Sequence, residues 1–157
     1  MSEAQQPRSD PPGQPRPNPA LAPTLATASY LAGLVALWGF TSLILDRDVI
    51  DYEDAGPLVG PAMAVAACVV VFLLCLRAKR TQPALLGLLT GLVAYAAMLF
   101  VGGVGYSLRL DDFRVMWPAI VHFGIGPFIV GAAILAGLVV GAAAWLVRPR
   151  YETRGGT

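Results

Sequence analysis

Charge is missing from most of this chain. The eleven Lys and Arg and ten Asp and Glu residues all fall in the tail segments and short connections, and four long stretches carry none of them. A charged side chain at the middle of a bilayer costs about 2.5–3.5 kcal/mol on insertion scales, so four separate charge-free blocks of spanning length point to a lipid environment. Histidine is reduced to His122 and lysine to Lys79, and the two cysteines, Cys68 and Cys75, form no C-x-x-C. These scarcities remove most of the usual chemistry. There is no G-x-S-x-G elbow, no H-E-x-x-H, no second histidine for haem ligation and no phosphate-cradling glycine loop, so no catalytic, cofactor-binding or metal-binding residue is assigned and a non-enzymatic protein is expected. Cys68 and Cys75, seven residues apart within one apolar block, read as small buried hydrophobes. A net charge of +1 gives no footprint for nucleic acid.

What is present is apolar. Hydrophobic residues make up 56% of the 157 and charged ones 13%, against about 25% charged in soluble domains. With about 20 residues needed per helical crossing, four spans occupy more than half of the chain. The expected fold is all-α: a polytopic membrane protein, a four-transmembrane-helix bundle built from two antiparallel hairpins. The spans are expected near 25–45, 58–76, 84–104 and 118–147, within a transmembrane domain 24–147. Pro57, Pro61 and Pro83 stand where helix starts tolerate proline, and Gly102, Gly103 and Gly105 are expected to loosen the end of the third span. Trp117 and Trp145 bracket the fourth. A straight helix sets them roughly 42 Å apart, the distance between the two interfacial zones of a bilayer where tryptophan is favoured.

Residues 1–23 hold seven of the thirteen prolines, with Gln, Ser, Asn and two arginines. Such a composition buries too little apolar area to offset chain entropy, so a disordered, Pro-rich tail is expected, and Pro12-Gly-Gln-Pro15 is read as part of a plain tether. A short basic tail, 148–157, closes the chain. The first apolar block is too extended for a signal-peptide core and reads as an uncleaved helix.

Sorting the charges by connection predicts an orientation. Arg8, Arg16, Arg77, Lys79, Arg80, Arg148, Arg150 and Arg154 share one side, whereas only Arg47, Arg109 and Arg114 lie on the other with seven of the ten acids. Positive residues stay cytoplasmic, which places both termini inside a bacterial plasma membrane and the two acidic hairpin loops outside. The loop Asp46-Arg-Asp-Val-Ile-Asp-Tyr-Glu-Asp54 fails the EF-hand register, since Ile50 stands where an oxygen ligand belongs and Asp51 where glycine belongs, and it reads as a solvated loop. Both outer connections follow a leucine with acids, Leu45-Asp46 and Leu110-Asp111, a match too short to establish a repeat.

Two residue groups within the spans invite a role. His122 lies about one turn below the outer interface, and Pro127, which has no N–H for the Phe123 carbonyl, is expected to kink or open the helix beside it. One reading is an outer-leaflet polar site of His122 with Tyr106, Asp111 or Asp112; the other is a neutral histidine bonded to a neighbouring helix. Small residues recur every fourth position, Gly87 with Gly91 and Ala133 with Gly137 and Gly141, a pattern that lets helices approach closely within the bundle or between copies. Membrane lipids, other membrane subunits or a second copy are the partners this composition allows.

The stretch Asp48-Val-Ile-Asp-Tyr-Glu-Asp-Ala-Gly-Pro-Leu-Val-Gly-Pro61, after a first span containing Trp38-Gly-Phe40, resembles uncharacterised four-helix membrane proteins of high-GC Gram-positive bacteria. The dominance of arginine over lysine accords with such a source. The resemblance implies the fold and transfers no activity. An accessory or scaffold subunit is the first expectation, and a small permease or channel-like homo-oligomer around His122 the alternative.

Overall fold

The computed structural model describes residues 20–46, 57–77 and 82–147. The proline-rich tail, most of the acidic loop after Asp46, the middle basic connection and the C-terminal tail lie outside the described residues, and with them the expectations of disorder and most of the charges used for orientation. The described residues are helical, in the order α1 (Leu21–Leu45), α2 (Val59–Leu76), α3 (Pro83–Leu110), a 3₁₀ turn (Phe113–Val115), α4 (Met116–Ile125) and α5 (Pro127–Val147). Four of these helices are long and apolar enough to cross a membrane: α1, α2, α3 and α5, the last over Pro127–Leu146.

Helix–helix contacts fix the arrangement. α3 packs most extensively against α5 and α2, and α1 packs against α2 and α5. Contacts along the seams run in opposite directions on paired helices: Gly87 meets Gly137 and Gly91 meets Ala133 across α3 and α5, while Gly33 meets Leu135 and Gly131 meets Leu37 across α1 and α5. Between α2 and α3, Met63 reaches Gly102 and Val59 reaches Gly105. All three pairs are antiparallel. Their shared core includes Tyr30, Leu34, Met63, Val71, Met98 and Val140, each essentially shielded from the exterior. The opposite faces carry exposed Leu, Val, Ile and Phe, the inverse of what water would select and what lipid tolerates.

Three expectations are corrected. α1 begins at Leu21, so Pro23 sits inside its first turn, where its missing N–H costs nothing. α3 runs on to Leu110 instead of loosening near 104. Its glycines serve tight packing: a Cβ on Gly102 would lie 2.6 Å from Met63 Cε, and one on Gly103 2.5 Å from Ile120 Cγ1. The single helix expected over 118–147 is two helices separated by Gly126, whose backbone is extended at φ −65° and ψ 130°. The straight 42 Å rod between Trp117 and Trp145 therefore does not form, although both indoles are exposed.

α1 and α3 end alike. Asp46 (φ 49°) and Asp111 (φ 53°) are the only non-glycine residues with positive φ among the described residues, and each N–H bonds back to a serine carbonyl, Ser42 or Ser107. The two ends share Ser-Leu-X-Leu-Asp, a longer match than the Leu-Asp pair alone. Aspartate enters the left-handed region at lower cost than most residues, so it replaces the usual glycine stop while keeping a charge at the helix end.

Candidate functional site

Among the described residues, the break between α4 and α5 is where the limb that includes the fourth helix of spanning length abandons regular backbone bonding. Pro127 supplies no N–H, so the Phe123 carbonyl accepts instead from Gly126 N at 3.1 Å. In a continuous helix the Gly124 carbonyl would take the Phe128 N–H; here it accepts from the Tyr95 hydroxyl of α3 at 2.8 Å. On the far side, the Trp38 indole N–H of α1 donates to the Phe128 carbonyl at 3.2 Å. Two aromatic donors from two other helices therefore clamp the discontinuity. Gly124 makes the first contact possible, since a Cβ there would stand 2.9 Å from the Tyr95 oxygen.

Such clamping is what a lipid environment would require of helices long and apolar enough to cross a membrane. Hydrocarbon offers a freed carbonyl no partner, and irregular backbone at membrane depth persists only where protein or water satisfies it. Tyr95→Phe is accordingly expected to lower stability in detergent by about 1 kcal/mol, because Gly124 loses its donor while the ring is kept. An unfolding midpoint equal to wild type would show that the hydroxyl contributes nothing to the break.

The residues singled out as a polar site differ in exposure. Tyr106 is buried on α3 and His122 is exposed on α4, and both rings meet Phe123 edge-on with centroids 6.4 Å away. Asp111 and Asp112 are exposed in the turn that follows α3, where Asp112 Oδ1 accepts from Arg114 N at 2.9 Å and caps the 3₁₀ turn. Gly126 terminates α4. The small residues are brought together: a Cβ on Gly87 would lie 2.7 Å from the Gly137 carbonyl oxygen, and one on Gly91 3.0 Å from that of Ala133. Gly141 packs against the backbone of Pro83 and Gly87.

Polar groups inside the core are few. Thr90 and Ser107 are fully buried and donate to carbonyls of their own helix, Leu86 at 2.7 Å and Gly103 at 2.9 Å. Cys68 is half-buried and Cys75 buried, both as free thiols. No group of three or more His, Cys, Asp or Glu side chains able to hold a metal ion occurs among the described residues. Tyr30 is the exception in the core: its hydroxyl is buried and has no hydrogen-bond partner among the described residues. Nothing in composition or spacing marks Trp38 or Tyr95 as a donor to the break. Pro127 was the available signal, since a proline inside an apolar span obliges some donor to serve the carbonyls it frees.

The same limb falls within a family match that covers residues 16–157, from before α1 to the C-terminal residue. The chain belongs to the DUF6121 family, a family of unknown function. No curated protein and no solved structure matches it. The DUF6121 match thus takes in all four helices of spanning length and the clamped break as one unit.

Proposed function

We propose that this DUF6121 protein is a non-enzymatic, multi-pass membrane protein that serves as an accessory or scaffold subunit, with both termini cytoplasmic and other membrane proteins as its partners. The observation that carries the reading is the internal satisfaction of the break. The carbonyls of Gly124 and Phe128 already hold protein donors, and Thr90 and Ser107 bond within their own helices, so among the described residues the Tyr30 hydroxyl is the one buried side-chain group left for a polar path. What the protein offers to others is its broad apolar exterior.

Gentle purification from native membranes with crosslinking tests this. A defined heteromeric partner at fixed stoichiometry is the expected result; a homo-oligomer that alters solute flux in liposomes would replace the scaffold with a permease. That second reading draws on the discontinuous crossing itself, because broken helices recur where transporters bind their substrates. Reporters fused after Asp51 and after Thr157 test the topology. A cytoplasmic signal from the Asp51 fusion would reverse it.

A further inference from the structure

The close approach of α3 and α5 has a geometric by-product on their outer side. Where two helices touch through glycine, their own side chains cannot fill the valley above the seam, and a groove of ≈ 860 Å³ remains. Gly87, Gly91 and Gly137 form its floor and Leu88, Leu92, Ile134 and Leu138 its walls. Trp145, exposed, stands at one end and Tyr95 at the other.

We propose that this groove holds one acyl chain of an anionic phospholipid, drawn from the leaflet on the side where α3 begins and α5 ends. Three features select that occupant. The lining is aliphatic, and the hydroxyl of Tyr95 at its inner end is engaged with Gly124, so the groove offers contact area to a hydrocarbon chain and little to a polar ligand. Along α3 it runs twelve residue steps from Pro83 to Tyr95, roughly 18 Å, and along α5 fifteen steps from Val130 to Trp145, roughly 22 Å, both short of a bilayer's roughly 30 Å hydrocarbon core. A partner's membrane-spanning helix needs the full thickness and would run off the inner end, whereas a lipid chain ends within its own leaflet.

Basic residues that end α2 or follow α5 in sequence supply the headgroup preference. Arg148 and Arg150 follow α5 directly in sequence, and the exposed Arg77 ends α2, which runs antiparallel to α3 and therefore finishes beside its start. Basic residues at a membrane surface each contribute about 1 kcal/mol toward anionic lipid, and tryptophan beside them favours the headgroup level.

The full chain, reconstituted in phosphatidylcholine vesicles doped with phosphatidylglycerol bearing a diazirine on one acyl chain, is irradiated and its labelled residues are mapped by mass spectrometry. Label should concentrate on the groove faces of α3 and α5, and unlabelled phosphatidylglycerol should compete better than added phosphatidylcholine. Ala142→Trp and Ala84→Phe fill the groove from exposed positions away from the glycine contacts. Each should reduce groove labelling about tenfold, the change produced by ~1.4 kcal/mol of lost contact. Ala36→Trp, on the exposed face of α1, should leave it unchanged. Equal label density on the exposed faces of α1 and α2, equal competition by both lipids, or full labelling of a groove-filling variant that elutes and unfolds as wild type would each overturn the proposal.

Discussion

Gly137→Leu should cost at least about 3 kcal/mol in detergent, enough to leave much of the protein misassembled. A Cβ at this position lies 2.8 Å from the Gly87 carbonyl oxygen, and the reciprocal Cβ on Gly87 lies 2.7 Å from the Gly137 oxygen. Both obstacles are backbone. No rotamer change relieves them, so α3 and α5 must move apart along the most extensive seam in the structure. In lipid this loss is not offset by hydrophobic burial elsewhere, because the separated helices meet acyl chains as apolar as the side chains they left, and what disappears is van der Waals contact between close backbones. Gly39→Leu supplies the contrast: a Cβ there meets nothing within 4 Å, and its effect should stay within about 0.5 kcal/mol. Size-exclusion profiles and denaturation midpoints of the two variants decide the matter. If Gly137→Leu unfolded with the midpoint of Gly39→Leu, close glycine contact would not be what joins α3 to α5.

The contrast also marks where the sequence is readable. Charge exclusion located the helices of spanning length, since the cost of an intramembrane charge acts on each residue separately and leaves its trace in the local composition. Packing leaves no such trace. Gly39 and Gly137 look alike in a Gly-rich chain, and only the fold shows one facing outward and the other pressed on a carbonyl. The triplet Gly102, Gly103 and Gly105 suggested a frayed helix end because glycine favours disorder in isolation, yet two of the three are spaces reserved for Met63 and Ile120. Pro127 announced a disturbance in the fourth limb. Whether a proline kinks a helix or divides it depends on donors near the break, and here Tyr95 serves the Gly124 carbonyl from 29 residues away while Trp38 adds a donor to the Phe128 carbonyl of α5 from 90 residues away. His122 drew notice as the lone histidine, but the unpartnered hydroxyl in the core belongs to Tyr30, in the middle of an apolar run where nothing distinguishes it from an interfacial tyrosine.

Tyr30→Phe is expected to stabilise the protein by about 1–3 kcal/mol, the opposite sign from most core substitutions. The side chain has no exposed surface, and it belongs to the core cluster that also holds Leu34, Met63 and Ala67. Its oxygen alone gains nothing from that position. In the unfolded chain the hydroxyl bonds to water or headgroups; in the folded protein it has no hydrogen-bond partner, so folding carries its desolvation cost without a compensating bond. Phenylalanine keeps the ring and removes only that cost. Tyr30→Ala serves as the complementary measurement, since it deletes the ring as well and should destabilise by about 3–5 kcal/mol through the cavity it leaves. The pair separates the hydroxyl from the packing. Were Tyr30→Phe to lower the unfolding midpoint instead, the hydroxyl would have to be bonded in the folded protein, and a buried water among the core helices would be the simplest group able to supply that bond.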